Sequence, residues 1–294
     1  MGEIAARFSN AKRYTAQGIF DATDRYGVLQ SVDDAPVALR RAQFALADRP
    51  EARLEFSRTI VHHRIQTARH LLQRQLRNHP DTDLDTVVTR MEEARNRALE
   101  AASIDQLRGI EGSATAAFFQ GFSRCLRGSL TFTHRVRRPP TDPVNGLLSF
   151  GYTLVFYNVY AYLRARRLDP AVGMYHEERQ GHPALASDLV EELRAPIVEN
   201  LILSIVNRSQ LGPEDFVYGE PFSPDGPRPC RLADDARIRF FRAYEERMAS
   251  TMNHPDSSTP VNWRRVIDLQ ALRMRRWIEG AVSTYQPFDG GRAK

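Results

Sequence analysis

The chain has 294 residues, 42% of them hydrophobic and 26% charged, with a formal net charge of +5. That length can bury one large core or two modest ones, and the balance is that of an ordinary globular protein rather than a disordered or fibrous one. No apolar run approaches the roughly 20 residues of a membrane span, and the N-terminus lacks the apolar core of a secretory signal. The expected location is therefore cytoplasmic. Cys125 and Cys230 stand far apart, which argues against a disulfide scaffold and a Cys-x-x-Cys zinc site.

Read in chain order, the first thirty or so residues carry only short strand-like stretches, Arg7-Phe8-Ser9, Tyr14-Thr15-Ala16 and Tyr26-Gly27-Val28-Leu29. They are too few for a sheet that stands alone. From there the periodicity is helical, and the expected fold class is mainly α. Apolar residues recur at helical spacing over 35–47 and 50–78, the second run holding Leu54, Ile60, Val61, Ile65, Leu71, Leu72 and Leu76 behind Pro50. Asn78-His79-Pro80-Asp81 is a breaker, and 83–101 reads as another helix. Ser103 is placed to cap a segment with Leu107 and Ile110, which leads into a helix over 111–126. Arg138-Pro139-Pro140-Thr141-Asp142-Pro143 forms a rigid loop before a long apolar helix over 144–167, ended by Asp169-Pro170. One uninterrupted helix is expected over 184–209. Five prolines between Pro213 and Pro229 mark a loop with room for a short hairpin. Helices over about 233–252 and 260–279 finish the chain. The expected division is 1–34 as strand and linker, 35–285 as a helical domain and 286–294 as a flexible tail.

Charge is more informative in its distribution than in its sum. Of 41 basic residues only Lys12 and Lys294 are lysines; a GC-rich coding bias explains that ratio, but not the clustering. Arg124, Arg127, Arg135, Arg137 and Arg138 fall in one stretch without an acid. Arg164, Arg166 and Arg167 follow, and Arg264, Arg265, Arg273, Arg275 and Arg276 crowd around Asp268. Guanidinium groups bind phosphate oxygens in pairs, so such clusters suit a nucleic-acid backbone, although a solvated face has the same composition.

Three segments hold side chains able to bind a metal. Glu111 precedes the small residues Gly112, Ser113, Ala114, Ala116 and Ala117, which allow close approach; a helix-capping role accounts for it equally well. His176 follows Gly173-Met174-Tyr175, and an exposed surface histidine is the plain alternative, as it is for His62, His63, His70 and His79 on or just past one polar helix. In Ser187-Asp188-Leu189-Val190-Glu191-Glu192, the acids at i, i+3 and i+4 share one side of a helix. Leu185, Leu189, Leu193, Ile197 and Leu201 run along an adjacent buried stripe. Stacked like charges are relieved by a cation, but acids in a first turn also complement the helix dipole. Two or three carboxylates and one imidazole make a donor set for a hard divalent cation with positions left for water and phosphate.

Residues from about 100 to 290 resemble the CRISPR-associated adaptation integrases, the Cas-one family, in motif order and spacing. The resemblance is carried by Leu107-Arg108-Gly109-Ile110-Glu111-Gly112, by Arg137-Arg138-Pro139-Pro140-Thr141-Asp142-Pro143-Val144-Asn145 and by Leu148-Ser149-Phe150-Gly151-Tyr152. It continues through Leu168-Asp169-Pro170-Ala171-Val172-Gly173-Met174-Tyr175-His176, Leu185 to Arg194, Ala243-Tyr244-Glu245 and His254-Pro255. It implies a helical catalytic domain preceded by the end of a strand-rich domain, with Ile4 to Phe8 resembling that domain's last strand. It also implies that Glu111, His176 and Glu191 bind a catalytic Mg²⁺ or Mn²⁺, with Asp188 as an accessory acid. The implied reaction is an endonuclease and integrase one: the 3′-hydroxyl ends of captured double-stranded DNA join the CRISPR repeat by transesterification. The implied partners are a second copy of the chain and the small ferredoxin-like Cas-two protein, and Arg135, Arg137 and Arg138 are the expected DNA contacts. Three departures stand out: the chain starts near the end of that strand-rich domain and is expected to lack most of it, Phe118 stands where relatives often carry tyrosine, and Arg64-Ile65-Gln66-Thr67-Ala68 replaces a usual lysine-led motif. The competing reading is a non-catalytic DNA-binding or scaffold protein, a truncated relic or part of a fusion.

Overall fold

The structure, a computed structural model, describes residues 18–20, 25–28, 36–221, 223 and 226–289. Strands β1 (Gly18–Phe20) and β2 (Arg25–Val28) pair antiparallel, while Ile4 to Phe8 and Tyr14 to Ala16 lie outside the described residues. Helices follow in order: α1 (Val37–Ala47), α2 (Pro50–Asn78), α3 (Asp85–Glu100), α4 (Ile104–Arg124), α5 (Pro143–Ala165) and α6 (Ala184–Val190). A π-helical turn, Arg194–Glu199, leads into α7 (Asn200–Asn207). The hairpin expected in the proline-rich loop forms from β3 (Phe216–Tyr218) and β4 (Cys230–Leu232). Then α8 (Asp234–Ala249), the two-residue strands β5 (Thr251–Met252) and β6 (Val261–Asn262), and α9 (Trp263–Ile278) complete the chain. The mainly helical class is as the periodicity implies. Among the described residues no helix is long and apolar enough to cross a membrane.

Side-chain caps start the helices that carry the site. Ser103 Oγ accepts from the Gln106 amide at 3.2 Å at the head of α4, and Asp142 Oδ1 accepts from the Asn145 amide at 2.8 Å at the head of α5. Each satisfies a donor that the first helical turn leaves free. Helices α2, α3 and α4 pack on one another, while α5 runs against α6, the π turn and α9. The core between them is apolar and closed: Ile60, Leu72, Leu107, Phe118, Phe122, Leu147 and Leu148 are all fully buried.

Three expectations need correction. The helix over 184–209 is broken between Val190 and Asn200. Pro196 has no N–H for the Glu192 carbonyl, and its ring collides with that carbonyl in an α-helix. The leucine stripe survives the break, since Leu185, Leu189, Leu193, Ile197 and Leu201 are all buried. Helix α4 begins at Ile104, so Glu111 sits two turns inside it and caps nothing. The segment expected as a tail from 286 is packed at Phe288, while Asp289 is exposed. Phe288 is fully buried, its ring stacked on His254 at 5.3 Å and edge-on to Trp263 at 5.6 Å.

A carboxylate and histidine cluster as candidate metal centre

Asp188 organises the site. It lies on α6 with no solvent exposure, and four donors converge on it. The Met174, Tyr175 and His176 amides reach its oxygens at 2.6, 3.1 and 2.8 Å, and His176 Nδ1 lies 2.8 Å from Oδ1. One carboxylate thereby ties down the whole loop before α6. Because a carboxylate oxygen accepts, the neutral ring carries its proton on Nδ1 and its lone pair on Nε2, the tautomer in which histidines ligate metals. Asp188 thus orients His176, with its oxygens taken up by protein donors. Gly173 belongs to the same device: a Cβ there would lie 2.6 Å from Ala184 Cβ.

Glu111, from α4, receives a hydrogen bond from Thr115 Oγ1 at 2.8 Å. Glu191 leaves the end of α6 and is buried. Arg194 Nη1 reaches its two oxygens at 3.0 and 3.1 Å, and Arg64 Nε lies 3.5 Å away. Burial pushes Glu191 upward, but Arg194, Arg64 and His176 hold it below the usual carboxylate range. Burial likewise lowers His176, yet the Asp188 hydrogen bond and the charges of Asp188, Glu191 and Glu111 raise it overall. Burial raises the Tyr175 hydroxyl, as do Glu111 and then Glu191. Glu111, His176 and Glu191, expected from three separate segments, therefore share one electrostatic neighbourhood. As their side chains stand, no three His, Cys, Asp or Glu groups among the described residues are close enough to chelate an ion. Arg194 occupies Glu191 instead.

Behind Glu191 lies a buried charged layer that the sequence reading misses. Arg64 grips Glu199 through both terminal nitrogens at 3.1 and 2.5 Å. Tyr152 donates its hydroxyl to Glu199 at 2.7 Å, and the Arg194 guanidinium lies over the Tyr152 ring at 4.5 Å. Burial, then Glu199, pushes Tyr152 up to about 12. Two signals were available: Arg64 interrupts the apolar stripe Ile60, Ala68, Leu71, and Glu199 stands inside an apolar run. Phe118, the tyrosine-to-phenylalanine departure, lies beneath Arg64 at 5.4 Å. His182 was also missed; its ring is 6.3 Å from that of His176, and Ser187 Oγ lies 3.2 Å from its Nε2.

The arginines divide. Arg135 turns inward, donating to the Val136 carbonyl at 2.6 Å, Asn145 at 2.8 Å and Ser149 at 3.0 Å. Burial lowers it to about 10. It staples the loop to α5. Arg137 and Arg138 are exposed, and Arg138 stands near enough to His182 to depress its pKa, after burial, His176 and Arg179. The basic run of α9 is largely neutralised, as Arg264 meets Glu245, Arg265 and Arg166 meet Asp268, Arg273 meets Asp256 and Arg275 meets Glu279. His63 is buried, not a surface histidine.

The family model of CRISPR associated protein Cas1 matches residues 17–246, most of the chain and all of this cluster. The chain belongs to the Cas1 family. It is 36% identical over 259 residues to a Cas1 endonuclease of Chlorobaculum tepidum, covering 86% of this chain and 74% of that one. It is 35% identical over 260 residues to a Cas4 exonuclease/Cas1 endonuclease fusion of Geobacter sulfurreducens, again covering 86% of this chain but 45% of the fusion. Among solved structures, a Cas6-RT-Cas1–Cas2 complex superposes with a TM-score of 0.77 at 27% identity over 92% of this chain and 29% of that one. A casposase bound to its integration product shares the fold, with a TM-score of 0.78 at 18% identity over 92% of this chain and 73% of that one. The chain thus spans less than half of the fused relatives it matches.

Proposed function

We propose that this Cas1 chain is a metal-dependent DNA endonuclease and integrase of CRISPR adaptation, joining the 3′-hydroxyl ends of captured duplex DNA to the repeat by transesterification. The observation that carries the proposal is that Glu111 and Glu191 share one electrostatic neighbourhood with His176, whose Nδ1 is fixed by Asp188. Two carboxylates and an imidazole fit Mg²⁺ and suit Mn²⁺ at least as well, because imidazole is the softer ligand. When bound, such an ion supplies Lewis acidity at the attacked phosphate and lowers the pKa of the attacking hydroxyl. Glu111, His176 Nε2 and Glu191 would hold it, with Glu191 released from Arg194.

The protein's own groups set the rest. Asp188 keeps the His176 proton on Nδ1, so the ring presents a lone pair to the site. The Arg64–Glu199–Tyr152 layer fixes the floor beneath Glu191. Arg137 and Arg138 offer exposed guanidinium groups to phosphates arriving beside His176 and His182. The proposed partners are duplex DNA, a second copy of the chain and the small ferredoxin-like Cas2 protein, a reading supported by the Cas1–Cas2 complex that this chain resembles. The test is strand transfer into a supercoiled plasmid carrying a repeat, with duplex ends, Mn²⁺ or Mg²⁺, and Cas2. Joining should need the metal and vanish in Glu111→Ala and His176→Ala. DNA binding without joining in the wild type would assign the chain to the scaffold reading instead.

A further inference from the structure

The helix that follows the catalytic turn is buried except along one line. Between Arg194 and Asn207 the side chains that reach solvent are Pro196, Asn200, Ser204 and Asn207, at steps of four, four and three, which is a single helical face. Three arginines from three other elements come to that line. Arg247 of α8 donates to the Pro196 carbonyl, and Arg74 of α2 donates to Asn200 Oδ1. Arg127, beyond α4, is anchored by its backbone amide to Asn207 Oδ1 at 2.8 Å and donates from its guanidinium to Gln75 at 3.5 Å.

All of these acceptors are neutral. Among the described residues, none of the three arginines forms an ion pair with a carboxylate, whereas the arginines of α9 mostly do. Arg77, exposed one turn beyond Arg74, adds its charge to the same group. Burial and then Arg74 push Arg247 down to about 10, and burial and then Arg77 lower Arg74. Arg247, Arg74 and Arg77 press on one another, and Arg74, Arg127 and Arg247 are held in place by neutral acceptors. The Arg247 guanidinium is further fixed over the Trp263 ring at 5.2 Å, and its Nε is buried without a partner.

The charge selects the ligand. Asn200 and Asn207, the two ends of α7, lie about 10 Å apart along the axis at about 1.5 Å per residue, so arginines anchored at both ends can reach separate phosphates of one duplex. We propose that Arg74, Arg127 and Arg247, seated on the polar line of the Arg194–Asn207 helix and joined by Arg77, form a rail that binds separate phosphates of a duplex. The rail starts one turn beyond Glu191, so a strand engaged there is held by the same helix that follows the catalytic turn. It extends the proposed function by a second phosphate-binding surface, separate from Arg137 and Arg138, and it stands or falls on DNA binding alone.

The test is the salt dependence of binding to a labelled 30-base-pair duplex, measured by fluorescence anisotropy. Each lost phosphate contact should reduce the slope of log K against log salt by about 0.9. Arg74→Gln with Arg127→Gln, both exposed and neither in the core, should lower the slope by about 2 and weaken binding at least tenfold at moderate salt. Arg265→Gln, which removes a guanidinium already paired with Asp268, should leave it unchanged. Circular dichroism checks that the double variant is folded. An unchanged slope overturns the rail, as does a wild type that binds no duplex. Equal loss of binding to an oligoglutamate peptide would assign the surface to an acidic protein segment and also overturn it. Glu111→Ala separates the two proposals, because it should abolish joining and leave the slope intact.

Discussion

His63 and Glu192 face the same C-terminal segment and titrate in opposite senses. Glu192 is fully buried and accepts from the Tyr285 hydroxyl at 2.6 Å, the Phe288 amide at 2.7 Å and Gln270 at 2.9 Å. Burial nevertheless raises it from 4.5 to about 7. Burial lowers His63, which bonds the Phe288 backbone, from 6.5 to about 4. A carboxyl with a raised folded pKa contributes stability that is whole below pH 4.5 and is lost as pH climbs through 7. An imidazole with a depressed folded pKa contributes stability that is whole above pH 6.5 and is lost as pH falls through 4. At about 1.4 kcal/mol per unit of displacement, each swing is about 3 kcal/mol. Between pH 4.5 and 6.5 the two should nearly cancel in the wild type, and removing either partner should expose the other. Urea unfolding at half-unit steps from pH 4 to 7.5 measures this on the wild type, Glu192→Gln and His63→Gln. Relative to the wild type, Glu192→Gln should gain about 3 kcal/mol between pH 4.5 and 7, and His63→Gln should lose about as much between pH 4 and 6.5. Acid groups common to all three proteins drop out of the differences. Curves that run parallel across the range would refute the argument for both residues.

Asp188→Asn leaves one acceptor oxygen where four donors converge; unfolding should weaken by about 1–3 kcal/mol, and the His176 pKa, read by NMR, should fall because the charge that raises it is gone. Gly173→Ala forces a Cβ against Ala184, so metal-dependent joining should drop at least tenfold with far-UV dichroism unchanged; full activity would show that the His176 loop tolerates displacement. Phe288→Ala empties the slot between His254 and Trp263 and should cost about 3–5 kcal/mol by urea unfolding; a loss below 1 kcal/mol would mean the segment is not part of the core.

Where side chains obey a single local rule, the sequence was enough to place them. Pro50 at the first position of α2 and the Asn78-His79-Pro80 breaker bound that helix at both ends, so its limits agree with the structure. Helix α4 shows the opposite case: Ser103 was recognised as a cap, yet the helix was expected only over 111–126, whereas it runs from Ile104 with Gly109 and Gly112 inside it. Tertiary packing of Leu107, Ile110 and Ala114 carries the helix through those glycines. At the site, the residues alone left capping, surface and dipole readings open for Glu111, His176 and Glu191, and it was the family resemblance that singled the three out. The donors that converge on Asp188 were not legible, since the three amides it binds belong to a loop whose path no local pattern fixes. The same limit applies to the arginines. Whether a guanidinium meets Asp268, Asn145 or open solvent depends on which helix faces it, and that is a property of the assembled bundle.

Pro196 shows how far one residue reaches across these levels. It stands in a stripe of leucines that otherwise reads as one long helix, and it ends α6 by denying a donor to the Glu192 carbonyl. The chain answers with a wider turn. The break leaves Glu191 at the end of α6 with His176 and Glu111, while Arg194 and Glu199 on the π turn face inward, the first onto Glu191 and the second onto Arg64 and Tyr152. The carbonyl of Pro196 itself faces outward and is taken by Arg247. A residue that looks like a defect in the helical pattern therefore joins the candidate metal-binding carboxylate, its buried counter-charges and the first arginine of the proposed phosphate rail. A proline retained inside so apolar a helix is the local conflict that sequence reasoning should treat as a sign of function, because packing alone would favour its removal.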